Sequence, residues 1–498
     1  MTMDPQPDPS TRDDPAPQRA LAVDLDGTLV ATDTLWESLM VLVGQQPLTL
    51  LQVPGWLMHG KSVFKRKVAQ HVALDPAALP YREQVVALAR RAYDEGRPVI
   101  LASACDQSIA DAVAAHLGCF TAVVASDGKT NCSGEEKAKQ IRAAVAQATD
   151  NMSASNDHAF DYAGNAKADL PVWTAAQNAY LVDTPGPIAK QAKPHGQTTD
   201  LVPRSTGTLP ALARAARPHQ WVKNILLALP LLLAHAAGEA ELWLRLLPAF
   251  LAMGLCASAV YLVNDLLDLR SDRLHPTKRR RPLATGELPI PAALSAAPLL
   301  VLAAVALAYL TLPLGFVGVL LVYTASAWLY SIVVKAKLML DVIWLACLYV
   351  IRIVAGGEAV EVETSAWLLA FALFMFLCLA FAKRYSELRV LEDEGRTRAE
   401  GRAYRTSDQH LVSSMGITSG YMGVMVFALY INSRAVTDLY AHPQVLWVIC
   451  PLLLYWVSRL WGRAHQRALR DDPLLFALTD RVSYIVVAIV ALVALIAM

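Results

Sequence analysis

Two patterns of apolar residues divide the chain. Up to about residue 185 the apolar stretches are short and alternate with helical patterns; beyond about 220 they lengthen to roughly 20 residues, enough to cross a bilayer. In the first region Leu21–Leu25, Pro98–Ala102, Ala122–Ala125 and Ala159–Ala163 read as buried strands, with Gln107–Leu117 a helix between the second and third. Strand alternating with helix predicts a parallel, Rossmann-like α/β sheet. In the second region nine candidate spans follow, at about 222–237, 242–263, 290–311, 314–334, 339–357, 365–382, 412–432, 445–461 and 482–498. They predict an all-α polytopic membrane domain of about nine transmembrane helices.

Composition sharpens the boundaries. At 498 residues the chain exceeds one ordinary domain, and its 55% hydrophobic content is concentrated after residue 220. Residues 1–18 are rich in Pro and Asp and lack an apolar run, so a disordered tail without a cleavable signal is expected. Residues 19–185 form the α/β domain, with an inserted helical cap at about 34–95. Residues 186–209, rich in Pro, Gly, Gln and Thr, read as a linker, and 210–498 as the membrane domain. The formal charge of +1 gives no case for nucleic-acid binding. The seven cysteines form no C-x-x-C pair, and Cys256, Cys347, Cys378 and Cys450 lie in apolar spans, so neither zinc nor a disulfide framework is indicated.

Loop charge sets an expected orientation. The loops after the second, fourth, sixth and eighth spans hold about twenty Lys and Arg, whereas the opposite loops hold essentially Arg434. The α/β domain and the basic loops are therefore expected on the cytoplasmic side of the cell's inner membrane, with the C-terminus external.

Candidate chemistry falls in both regions. Leu21–Asp24 runs into Leu25-Asp26-Gly27-Thr28, a tight turn exposing two carboxylates at the carboxyl end of a strand, where open α/β sheets bind ligands. Ser103 ends the second strand, Lys137 follows Gly134-Glu-Glu, and Gly164-Asn165-Ala-Lys-Ala-Asp169 follows the fourth. Further on, Asn264-Asp265-Leu-Leu-Asp268-Leu-Arg-Ser-Asp272 closes an apolar span. On one helix Asp265, Asp268 and Asp272 would share a face, where a divalent cation such as Mg²⁺ would remove their repulsion. The alternative pairs these acids with Arg270 and Arg273. Asp341 and Arg352, three helical turns apart, also share a face; they line a polar cavity or form an internal ion pair.

The four ordered motifs of residues 20–185 resemble the haloacid-dehalogenase superfamily of phosphotransferases. The resemblance implies Asp24 as nucleophile, Asp26 as general acid/base, Ser103 as phosphate-binding hydroxyl and Lys137 as the site's lysine. It implies Mg²⁺ held by Asp24 and Asp26 with Asn165 and Asp169, and an aspartyl-phosphate intermediate. Asn165 departs from the acid common at its position but keeps an oxygen ligand. Within the cap, Trp36, Leu39, Met40, Leu48, Leu50, Trp56 and Leu57 read first as a cap core, the other reading being a surface that approaches lipid. Lys61, Lys65 and Arg66 read equally as phosphate contacts or a solvated face.

The Asp-rich string and His275-Pro-Thr-Lys278-Arg-Arg-Arg281-Pro resemble the UbiA superfamily of intramembrane prenyltransferases over about residues 210–498. Arg217-Pro-His-Gln-Trp221-Val-Lys223-Asn224, Tyr330-Ser-x-x-x-Lys335, Asp341-Val and Arg352-x-x-Ala-Gly resemble its decaprenyl-phosphate phosphoribosyltransferase branch. This implies transfer of 5-phosphoribose from phosphoribosyl diphosphate to a polyprenyl phosphate. Asp265, Asp268 and Asp272 would hold Mg²⁺, and Lys223, Asn224, Asn264, Arg281, Tyr330, Lys335, Asp341 and Arg352 would contact substrate. The fused phosphatase would then dephosphorylate the lipid-linked product, in cell-wall biosynthesis, and the reading admits a homo-oligomer. The alternatives are an aromatic-acceptor prenyltransferase using polyprenyl diphosphate, and a non-catalytic membrane binder with a regulatory domain.

Overall fold

The computed structural model describes residues 19–149, 159–204, 207–236, 238–398, 402–434, 436, 440–466, 476–477 and 479–498. The tail expected over 1–18 lies outside the described residues. The chain forms two compact units, one of Met1–Arg214 together with Asp265–Ala293, the other of Ala215–Asn264 together with Leu294–Met498.

In the first unit six parallel strands make one sheet in the order β3-β2-β1-β4-β5-β6. They are β1 (Ala20–Asp24), β2 (Val99–Asp106), β3 (Ala122–Ser126), β4 (Phe160–Gly164), β5 (Ala179–Val182) and β6 (Thr198–Val202). Every residue of β1 is buried, which suits a central parallel strand covered on both faces. Its side chains alternate between two cores. Leu21 and Val23 pack with Val85, Ala89, Ala110 and Val113; Ala20 and Ala22 pack with Ile141, Val145 and Trp173. The helices α1 (Thr34–Gln45), α2 (Val53–Met58), α3 (Lys61–His71), α4 (Glu83–Asp94), α5 (Gln107–Leu117) and α6 (Glu135–Thr149) complete most of the unit.

Two features depart from the sequence reading. β2 continues past Ala102, so Ser103 lies inside the strand. The segment 186–209, read as a linker, supplies β6, which extends the sheet beside β5. β6 is an edge strand whose Thr198, Thr199 and Asp200 are exposed, so its composition imitates a loop.

The second unit holds most of the apolar helices. Seven helices among the described residues are long and apolar enough to cross a membrane: Ala240–Leu267, Ile290–Thr311, Leu314–Ile332, Leu340–Val360, Ala366–Asp393, Thr406–Ile431 and Pro443–His465. Arg481–Ala497 is a shorter apolar helix. The expected count of about nine spans is not reached by length and composition among the described residues. The stretch 222–237 departs most: Pro218–Ala228 is a 3-10 helix, followed by a five-residue α-helix, Leu229–Leu233. Pro230 sits in the first turn of that short helix, where its missing N–H leaves no intrahelical bond unmade.

Small residues set the helix spacing. A Cβ at Gly416 would meet the Trp461 ring, at Gly420 Val457, and at Gly356 the backbone of Leu227. Outward leucines such as Leu302 and Leu310 stay exposed, as lipid-facing positions do.

Candidate active sites

The carboxyl ends of the central strands gather the first site. Asp24 ends β1 in register with Ala102, one residue before Ser103, and Val23 is in register with Ala163 of β4. Asp24 Oδ1 accepts from Lys137 Nζ at 2.7 Å and Oδ2 from the Thr28 hydroxyl at 3.1 Å. Lys137 also donates to Tyr162 Oη at 3.0 Å and to Asp169 Oδ1 at 3.4 Å. Burial pushes the Asp24 carboxyl up to about 6 against the pull of Lys137. Burial, reinforced by Asp33 and Asp24, pushes Asp26 up to about 7. For Lys137, burial works against the charge, but Asp24, Tyr162 and Asp169 outweigh it and hold the ammonium charged.

Asn165 and Asp169 have different jobs in this geometry. Asp169 is saturated: Oδ1 accepts from Tyr162 Oη at 2.6 Å, and Oδ2 from the backbone N–H groups of Asn165 and Ala166, each at 3.0 Å. It fixes Lys137 and the turn after β4. Asn165 lies against Gly27, where a Cβ would collide with its amide, and Gly27 takes φ +77°. Asn165 Oδ1 is buried without a hydrogen-bond partner in the structure. An oxygen left unpaired beside two desolvated carboxylates fits a hard divalent cation. Ser103 is fully buried, and its Oγ accepts from Cys105 N–H at 3.0 Å. Asp26 Oδ1 accepts from Thr34 N–H at 2.8 Å, which ties the acid to the start of α1. Tyr162 and Thr28 were not singled out in the sequence. Tyr162 lies two residues before Gly164 on a strand whose outward pattern is hidden, since all five residues are buried.

The Asp-rich stretch belongs to the same compact unit. The long helix Ala240–Leu267 stops one residue before Asp268, and a second helix, Leu269–Leu274, begins after it. One continuous face carrying all three aspartates is therefore not formed. Asp265 and Asp272, both buried, meet at Arg281 Nη1, at 3.0 and 2.5 Å, while Asp268 is half-buried at the break. Burial, and then Asp265, raise the Asp272 carboxyl against the pull of Arg281. Arg270 and Arg273 are engaged elsewhere. Arg270 binds Asp75 at 2.9 Å, and Arg273 reaches Glu37 at 2.5 and 3.1 Å and the carbonyl of Ala284 at 3.0 Å. Among the described residues no three His, Cys, Asp or Glu side chains gather closely enough to hold a metal unaided. Mg²⁺ commonly takes one or two carboxylates, waters and substrate phosphates, so paired acids such as Asp265 and Asp272 still fit it.

In the second unit Asp341 and Arg352 do not form the ion pair of the alternative reading; each has other partners. Asp341, fully buried, accepts from Tyr404 Oη at 2.6 Å and pairs with Arg384 at 3.0 Å and Arg402 at 3.4 Å. Arg402 Nη1 also lies 3.5 Å from Tyr330 Oη. Arg352 donates to Tyr323 Oη at 2.6 Å, the Leu348 carbonyl at 2.9 Å and Asn224 Oδ1 at 3.3 Å. Lys223 stands 6.0 Å over the Tyr349 ring, which Arg352 also covers. Lys335 lies in a short 3-10 turn, Val334–Ala336, and Asn264 is half-buried near the end of its helix. The sequence reading missed Arg384, Arg402 and Tyr404. Arg384 sat in a Lys-Arg pair that read as topology-setting charge.

Residues 224–479 match the model of the UbiA prenyltransferase family, and residues 21–173 that of the haloacid dehalogenase-like hydrolases. An uncharacterised protein of Sinorhizobium fredii, y4nM, is 34% identical over 95% of this chain and 89% of its own length. Nodulation protein NoeC of Azorhizobium caulinodans is 33% identical over 56% of this chain and 90% of its own. A decaprenyl-phosphate phosphoribosyltransferase of Mycolicibacterium smegmatis is 36% identical over 45% of this chain and 70% of its own.

Proposed function

Since this chain belongs to the UbiA prenyltransferase family and joins a haloacid dehalogenase-like domain to an integral membrane one, we propose that it is a bifunctional enzyme of lipid-linked phosphoribose. The membrane half transfers 5-phosphoribose from phosphoribosyl diphosphate to a polyprenyl phosphate. The phosphatase half then removes the 5-phosphate. Both act on the cytoplasmic side of the inner membrane. Similarity to decaprenyl-phosphate phosphoribosyltransferases supports the first step. The Asp24–Lys137–Asp169 network beside the raised Asp26 supports the second and carries it.

In the transfer, an oxygen of the polyprenyl phosphate bonds to C1 of the ribose as the C1–diphosphate bond breaks, and diphosphate leaves. Asp265 and Asp272, with Asp268, would hold Mg²⁺, while Lys223, Asn224, Asn264, Arg281, Tyr330, Lys335 and Arg352 would contact the donor and lipid phosphates. In the hydrolysis Asp24 attacks phosphorus to give an aspartyl phosphate, and Asp26 protonates the departing ribose oxygen. Asp26 then takes a proton from the water that cleaves the acyl phosphate. Lys137 neutralises Asp24 and the phosphoryl oxygens, Ser103 binds one of them, and Asn165 Oδ1 completes the oxygen set with Asp24 and Asp26. Mg²⁺, when bound, supplies positive charge to the leaving diphosphate and to the transferring phosphoryl group.

The test is incubation of the purified protein with labelled phosphoribosyl diphosphate and polyprenyl phosphate, followed by lipid extraction. Wild type is expected to accumulate the dephosphorylated ribosyl lipid and Asp24→Asn its 5-phosphorylated precursor. Asp265→Ala is expected to abolish both lipids. Identical lipids from wild type and Asp24→Asn would end the sequential reading, and no labelled lipid from wild type would end the transferase reading.

A further inference from the structure

The cap turns large aliphatic side chains outward. Leu48, Leu51, Leu57 and Met58 are 80, 80, 52 and 88% exposed, all within eleven residues. Neither the 3-10 turn Pro47–Gln52 nor α2 contains a buried residue, so this stretch is not the cap core that its composition suggests. Core-forming cap residues lie elsewhere, at Leu42, Phe64 and Val68. A soluble surface rarely keeps four such side chains together in water.

The stretch follows α1, which shares a cavity with the last residues of a long apolar helix. Ala240–Leu267, at 28 residues, is about 42 Å long, more than the roughly 30 Å hydrocarbon core, so its polar end at Asn264–Leu267 reaches the headgroup layer. A cavity of about 190 Å³ is lined jointly by Met40, Gly44 and Gln45 of α1 and by Leu266 and Leu267 of that helix end. Two residues after Gln45 the exposed stretch begins. It is followed by Lys61 and Lys67, both exposed, whereas the intervening Lys65 is bonded to Ala104 O and Arg66 to Asp127 O.

We propose that Pro47–Met58 is an interfacial membrane segment. Leu48, Leu51, Leu57 and Met58 enter the headgroup–acyl boundary of the bilayer that Ala240–Leu267 spans, and Lys61 and Lys67 meet anionic lipid headgroups there. The occupant is the lipid itself. A segment held in this layer would bring the phosphatase site to phosphates carried on membrane lipids, but its placement is testable without any assumption about the reaction.

The experiment is collision-accessibility spectroscopy of a nitroxide on full-length Leu51→Cys in nanodiscs, with Arg91→Cys on the exposed face of α4 as the aqueous reference. Discs of phosphatidylcholine alone and mixed with phosphatidylglycerol are compared. On Leu51→Cys, molecular oxygen is expected to collide several-fold more often than a water-soluble nickel chelate, with the reverse on Arg91→Cys. Phosphatidylglycerol should deepen the Leu51→Cys label, and Lys61→Glu with Lys67→Glu should remove that deepening. Nickel access at Leu51→Cys equal to that at Arg91→Cys overturns the proposal. So does exclusion of both reagents, which would mean that protein covers the patch.

Discussion

Asp24 and Asp26 keep protons in the folded chain at pH values where an unfolded chain has lost them. Their carboxyls titrate near 6 and 7, against about 3.9 for an unperturbed Asp. Between roughly pH 4 and 7 the native state therefore binds more protons than the unfolded state, and stability falls as pH rises through that window. A divalent cation on the same carboxylates reverses the penalty. Mg²⁺ should raise the melting temperature of the first unit more at pH 8 than at pH 5, as thermal unfolding with and without EDTA will read. Equal shifts at the two pH values would count against metal on these groups. The motif residues were legible because a turn advertises itself: Asp-x-Asp-Gly-Thr after an apolar run needs no tertiary information. The division of labour between Asn165 and Asp169 was not legible. It depends on which oxygen Tyr162 and two backbone N–H groups have already taken. Tyr162→Phe should leave the sheet intact yet loosen Lys137, lowering phosphatase kcat by about tenfold, roughly the worth of one buried hydrogen bond of 1–1.5 kcal/mol.

At the scale of elements, α1 and the Leu269–Leu274 helix are fastened by the Glu37–Arg273 pair, whose side chains are only 4 and 9% exposed. Removing one partner leaves the other charge buried. Glu37→Ala should cost about 3–5 kcal/mol in chemical denaturation of the first unit and open Lys278–Arg280 to trypsin. An unchanged midpoint and cleavage pattern would show that Arg273 finds water instead. Sequence pattern could not announce this pair, since the partners lie more than two hundred positions apart. For similar reasons the break at Asp268 escaped notice: spacing of i, i+3 and i+7 presumes an unbroken helix, and only the observed backbone says otherwise. Strands β1 to β4 were readable from buried apolar runs. β5 was too short to signal itself, and β6 carries too much polar sequence on its exposed edge.

For the whole molecule, hydropathy located the membrane half well but separated long from short apolar helices less well, because a 3-10 stretch running into a five-residue helix has the composition of a spanning helix. Basic loops still predict sidedness. In inverted and right-side-out vesicles, a cysteine at Arg280 should react with impermeant maleimide only from the cytoplasmic face; labelling from outside would overturn the orientation and the shared compartment of the two sites.

The first unit is discontinuous, closed by Asp265–Ala293 after Arg214. Its folding is therefore tied to the order of synthesis. The ribosome must emit roughly sixty more residues, among them Ala240–Leu267, before Arg273 exists to meet Glu37. At about 5–20 residues per second that is a wait of several seconds or more. During it the sheet can form but α1 lacks its buried counter-charge. Completion of the first unit thus follows synthesis of that apolar helix, and a chain in which the helix fails to insert should yield a phosphatase domain that turns over quickly in the cell.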